Sequence, residues 1–245
     1  MDKHLDLKLK TIAGLPISIG NIVLTPYTLK EIINYGYEEY HQNLHILTLK
    51  VEEILTSEFK AQIGSTISLF DLALLDKTLL SMFVKSLLFF LREQEVHLVE
   101  GLGLVFGKID ESKIVNNENF NDLIEVIKVQ NNFQEYANVD IDFKPKSSAG
   151  RALKEKMMSD LKKAEELKQR ANKGNALSLF DLISILSANA NGISIFNVLD
   201  LNMLQFNDQF NRMKMLEDYK VNIQALMHGA DSKSIELKHW MSKVN

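Results

Sequence analysis

The stretch SLFDLALLDKTLLSMFVKSLLFFL, residues 68–91, sets the reading of this chain. Ser68 is a good N-cap, and Asp71 stands at the third helical position, where its carboxylate can return the cap bond. Leu72, Leu75, Leu79, Phe83, Leu87, Phe90 and Leu91 then recur at helical spacing. Such a helix is apolar around most of its circumference, so it belongs at the buried centre of a domain. Ser81, Lys85 and Ser86 interrupt the run, which is too short and too polar to cross a bilayer.

Toward the N-terminus, Leu5-Asp6-Leu7-Lys8-Leu9-Lys10 alternates apolar and polar residues, the period of a strand. Gly20-Asn21, between Ile17-Ser18-Ile19 and Ile22-Val23-Leu24, suits a tight hairpin turn. A helix follows, with two competing starts. Thr25-Pro26 offers a cap and a first-turn proline, and Thr28-x-x-Glu31 offers a capping box. Its apolar positions run on through Tyr37 and Tyr40 to Leu44 and Leu47. Residues 56–62 read as a further helical stretch. Beyond the central helix, Gly101, Gly103 and Gly107 punctuate Leu102, Leu104, Val105 and Phe106, which predicts a β-hairpin over 97–115. Phe120, Leu123, Ile124 and Ile127 then mark one face of a helix over 119–131.

The composition changes after residue 138. Residues 144–173 hold ten basic against four acidic side chains, a net +6, while the whole chain carries −4. The remainder is therefore at −10, an acidic body with a basic arm. Leu153, Met157, Leu161, Ala164, Leu167 and Ala171 give that arm a narrow apolar stripe, suited to one partner helix. Lys154, Lys162, Lys163 and Arg170 are its candidate contact residues for phosphate or an acidic protein surface. No aromatic side chain interleaves the basic residues of 144–173, which counts against stacking on single-stranded nucleic acid.

The C-terminal third begins with Ser178-Leu179-Phe180-Asp181-Leu182, a second copy of residues 68–72. Asn189-Ala190-Asn191-Gly192 closes that helix. A long helix then runs from about Asn202 to His228 and ends at Gly229, with apolar residues on more than one stripe. Contiguous apolar patches beyond a few hundred Å² are rare on monomers. Phe206, Phe210 and Met213, with Trp240 in the tail, are therefore the candidate partner-binding residues.

These elements predict a mainly α protein with small β-hairpin elements, arranged as two helical lobes joined by a basic connector helix. The expected limits are an N-terminal α+β lobe over 1–138, a linker and connector over 139–174, and a C-terminal helical lobe over 175–245. Apolar residues at 46% exclude a wholly disordered chain, and 11 Gly with 3 Pro favour helices over a loop-rich sandwich. The absence of Cys excludes disulfides, thiolate zinc sites and a Cys nucleophile. The N-terminus has no continuous apolar run of the signal-peptide kind, which points to the cytoplasm.

Candidate chemistry is sparse. His41 and His45 have a metal-compatible spacing, but Glu is absent at 42 and no third ligand lies nearby. Gly101-x-Gly103-x-x-x-Gly107 lacks the dinucleotide spacing, and neither a phosphate loop nor a nucleophile elbow occurs. The expectation is a non-enzymatic protein without cofactor or metal.

Several stretches together resemble a known family. Leu15-Pro16-Ile17, Leu24-Thr25-Pro26-Tyr27-Thr28-Leu29-Lys30-Glu31-Ile32 and Gly36-Tyr37-Glu38-Glu39-Tyr40 resemble the opening of tail assembly chaperone-like proteins of phages of Gram-positive bacteria. Tyr219–Ala230 and Leu237-Lys238-His239-Trp240-Met241 resemble the ends of phage structural-module proteins. The resemblance implies a non-enzymatic virion-assembly role in the host bacterial cytoplasm. The implied partner is another phage structural protein, tape measure or tail tube. Such a chaperone covers apolar stripes of its client with exposed amphipathic helices. The alternative reading is a nucleic-acid-binding regulator that uses the basic arm.

Overall fold

The computed structural model describes residues 2–49, 67–107, 113–133, 177–190, 192–229 and 237–242. In chain order the elements are α1 (Lys3–Ile12), β1 (Ile17–Ile19), β2 (Ile22–Leu24), α2 (Leu29–Tyr35) and α3 (Tyr37–Thr48). Then come α4 (Leu69–Leu75), α5 (Lys77–Leu91), β3 (Val96–Val99), β4 (Gly103–Phe106), β5 (Lys113–Val115) and α6 (Phe120–Gln130). α7 (Leu179–Asn189), a 3₁₀ turn (Val198–Asp200) and α8 (Met203–Met227) complete the set. The fold is mainly α with small antiparallel β elements, as the periodicities predict.

The central apolar run forms two helices instead of one. Ser68 caps α4 by accepting from the Asp71 amide. Asp76 then leaves helical geometry and caps α5, its carboxylate accepting from the amides of Thr78 and Leu79. α5 packs across α3 and buries Phe83, Leu87, Phe90 and Leu91, with Tyr40 opposite. Tyr40 donates its hydroxyl proton to Asn131 Oδ1 at 2.8 Å, which satisfies a polar tip inside an apolar layer. Phe70 of α4 and Phe83 of α5 both meet the Phe120 ring, at 5.2 and 6.0 Å between centroids.

Three expectations need correction. Residues 5–10 are not a strand but the middle of α1. Leu and Lys are good helix formers and no β-branched residue stands in this run, so its alternation carries little strand preference. Asp2 caps the helix, Lys10 pairs with Asp6 one turn back, and the buried positions are Leu7 and Thr11, four apart. The helix expected from Leu29 to Leu47 breaks at Gly36, whose φ of 116° a residue with a Cβ rarely adopts. Of the two possible starts for α2, the capping box prevails: Glu31 accepts from the Thr28 amide, and Thr28 Oγ1 accepts from the Glu31 amide. The hairpin over 97–115 is a three-stranded sheet in the order β3-β4-β5.

The C-terminal third enters the same core. Leu201 O accepts from the Leu29 amide at 2.8 Å, and Asn202 pairs with Thr28 as an isolated bridge. Asn202 Nδ2 donates to Thr11 O, and Gln205 Nε2 donates to Ile12 O. Ile183, Leu186, Val198, Met203 and Phe206 are buried in one cluster with α1, α2, α3 and α5 residues. The limits near 138 and 174, the connector helix and residues 56–62 lie outside the described residues.

Candidate partner-binding surface

The first three turns of α8 pack on the core. Asn202 caps the helix with Gln205 completing the box, so the start is held where the chain leaves the core. Met203, Leu204 and Phe206 are buried, while Phe210 and Met213 are partly buried against the core. Phe206 is only 1% exposed and lies 6.4 Å from the Phe210 ring. It serves the fold and is out of a partner's reach, which is a correction to its place among the candidate docking residues. Phe210 and Met213 form the seam between core and surface. Trp240 lies on the surface beside His239, with ring centroids 6.1 Å apart.

The tail residues 237–242 run back along α8. Arg212, Met215, Tyr219 and Asn222 recur at three or four residues and so share one helical stripe. Arg212 Nη1 donates to Ser242 O at 2.7 Å and to Trp240 O at 3.2 Å. Seven residues on, Tyr219 meets the His239 ring at 5.1 Å. The tail thus lies antiparallel to the helix. It has a local fold of its own: Ser242 N donates to His239 O, and Met241 N donates to His239 Nδ1. A shallow cavity of about 450 Å³ remains between Lys238 and the α8 residues Met215, Asp218, Tyr219, Val221 and Asn222.

Large apolar side chains stand in solvent across the C-terminal third. Phe180 is 78% exposed, Phe196 91% and Met227 81%. Their sequence context hid this. Phe180 occupies the position at which Phe70 is buried, and Phe196 sits among the apolar residues Ile195, Val198, Leu199 and Leu201. Arg212 also escaped the sequence reading, because a lone Arg on a long helix carries no signal until its acceptors are placed.

The basic-arm residues Lys154, Lys162, Lys163 and Arg170 lie outside the described residues. His41 and His45 lie on the exposed side of α3, where His41 stands edge-on to Tyr37 and Tyr40. Among the described residues no group of three His, Asp or Glu side chains is placed to hold a metal ion. None of the described helices is long and apolar enough to cross a membrane.

Neither the curated proteins nor the solved structures contain a match to this chain. Residues 168–245, which hold α7, α8 and the tail, match the model of a phage-derived family described as the YomV second domain.

Proposed function

We propose that this chain is a non-enzymatic phage assembly protein, a tail assembly chaperone or adaptor, and that its C-terminal third binds another phage structural protein. The observation that carries the reading is the set of exposed side chains Phe180, Phe196 and Met227 within the stretch that matches a phage family. Isolated apolar side chains on a surface are ordinary, but three large apolar side chains each more than three-quarters exposed within the C-terminal third favour an interaction surface there. Aromatic and Met side chains supply most of the contact area in such interfaces, and Met adapts to irregular partners. The N-terminal body, whose aromatics lie largely inside, acts as the platform that holds the start of α8.

Co-expression of the chain with the tape measure and tail tube proteins of the same phage tests this reading. A stable complex that survives a rise from 50 to 200 mM salt is expected, since apolar contacts are not screened. A complex found only with nucleic acid, and lost over the same range, would replace it with the regulator reading.

A further inference from the structure

Residues 237–242 lie on the surface of α8. No residue of this segment is buried; Leu237, Trp240 and Met241 all keep more than a third of their surface in water. Among the described residues, the Arg212 guanidinium holds it to α8 through the two carbonyls of Trp240 and Ser242, together with the Tyr219–His239 ring contact. A segment with so little buried area opens far more readily than the core beneath it. Tyr219 lies against it, and Met215, partly buried on the same stripe as Arg212, lines the cavity between this segment and α8.

We propose that residues 237–242 are a releasable strap on α8, latched by Arg212, that covers the Met215–Tyr219 face until a partner displaces it. The proposal rests on the partner-binding reading above and names the part of the surface that is masked in the free protein. A displacing segment must supply what the strap supplies. It needs free main-chain carbonyls for the guanidinium, which a helix C-terminus carries, and an aromatic side chain for Tyr219. The competitor is therefore the C-terminal end of a partner helix with an aromatic residue in its last turn. Arg fits the latch because one nitrogen, Nη1, carries two N–H groups held in the guanidinium plane, one for each carbonyl, whereas a Lys ammonium is a freely rotating point charge on a shorter side chain.

Hydroxyl-radical footprinting of the full chain tests the strap without any partner, because the residues that matter are strongly reactive. In Arg212→Ala the oxidation of Met215 and Tyr219 should rise several-fold over wild type, with Met227 unchanged as an already exposed reference. The emission of Trp240, the only tryptophan, should shift to the red in the same variant. Unchanged rates at Met215 and Tyr219 would overturn the strap. Phe206 reports whether the fold survives. If its oxidation rises too, Arg212→Lys decides: a partial rise at Met215 and Tyr219 with Phe206 still protected supports the latch, and no rise refutes it. Failure of the co-expression experiment would leave these rates as they are, so the two ideas fall separately.

Discussion

The same five residues, Ser-Leu-Phe-Asp-Leu, begin α4 at 68–72 and α7 at 178–182, and they are used in opposite ways. The local geometry is shared. Ser68 sits at φ −76°, ψ 158° and Ser178 at φ −73°, ψ 165°, and each accepts from the amide of the Asp three residues on. The surroundings are not shared. Phe70 is 3% exposed and packs against Phe120, whereas Phe180 is 78% exposed. Asn117 adds a second layer at the first site, its Oδ1 accepting from Ser68 Oγ and its Nδ2 donating to Asp71. Five residues thus specify a helix start, and tertiary context alone assigns its aromatic to the core or to the surface.

The largest separation of the two sites should come from Phe70→Ala. Truncating a buried Phe costs about 3–5 kcal/mol, so urea unfolding should show a midpoint far below wild type. A loss under about 1 kcal/mol would mean that α4 is not part of the cooperative core.

Glycine substitutions sharpen the same contrast. Gly103 opens β4 at φ 112°, and a Cβ there would fall on the carbonyl oxygen of Val115. Gly192, after α7, has φ 80° with nothing within 4 Å of a built Cβ. Gly192→Ala should cost only the left-handed strain of about 1–2 kcal/mol. Gly103→Ala adds a backbone clash to that strain and should cost measurably more in thermal unfolding. Equal costs would show that the β4–β5 pair yields as easily as the turn after α7.

The caps come next in size. Ser68→Ala and Ser178→Ala should each cost about 1 kcal/mol, with Ser68 the larger because its hydroxyl also serves Asn117. Hydrogen bonds from Asn117 and Ser68 hold the Asp71 carboxyl below its ordinary range, and those from Ser178 do the same for Asp181. A lowered carboxyl pKa means that folding favours the ionised form. Its stabilisation is complete above the unfolded-state value of about 4 and disappears as pH falls through the folded-state value. The difference between Ser68→Ala and wild type should therefore narrow on acidification below about pH 4. A difference independent of pH would separate the cap from the Asp71 charge.

Much of the fold is legible in the sequence, and the reason is local. Thr28-x-x-Glu31, Ser68-x-x-Asp71, Ser178-x-x-Asp181 and Asn202-x-x-Gln205 each mark a helix start that the structure places at that residue. A cap is a short-range hydrogen bond, so four residues suffice to read it. The breaks at Gly36 and Asp76 are harder, because apolar periodicity continues across both and masks their local marks, the positive φ of Gly36 and the Asp76 cap on Thr78 and Leu79. Residues 5–10 show the limit of period two. Three Leu separated by charged residues fit either face pattern, and α1 is settled by the contacts of Leu7 and Thr11. The surface was less legible than the core. Nothing in residues 178–182 distinguishes Phe180 from Phe70, and Phe206 reads as surface only when α8 is taken alone. The latch at Arg212 depends on carbonyls about thirty residues away, which no spacing rule relates to it.

The central claim is that Phe180 and Phe196 of the C-terminal third serve a partner, while Phe206 and the aromatics of the N-terminal body serve the fold. Phe180→Ser tests it most directly, with thermal unfolding and co-purification with the tape measure and tail tube proteins measured on the same preparation. The account predicts a melting midpoint within about 2 °C of wild type, since an exposed side chain carries little stability, together with loss of the complex. A midpoint lower by more than about 6 °C, with the complex retained, would place Phe180 in the core and contradict the account.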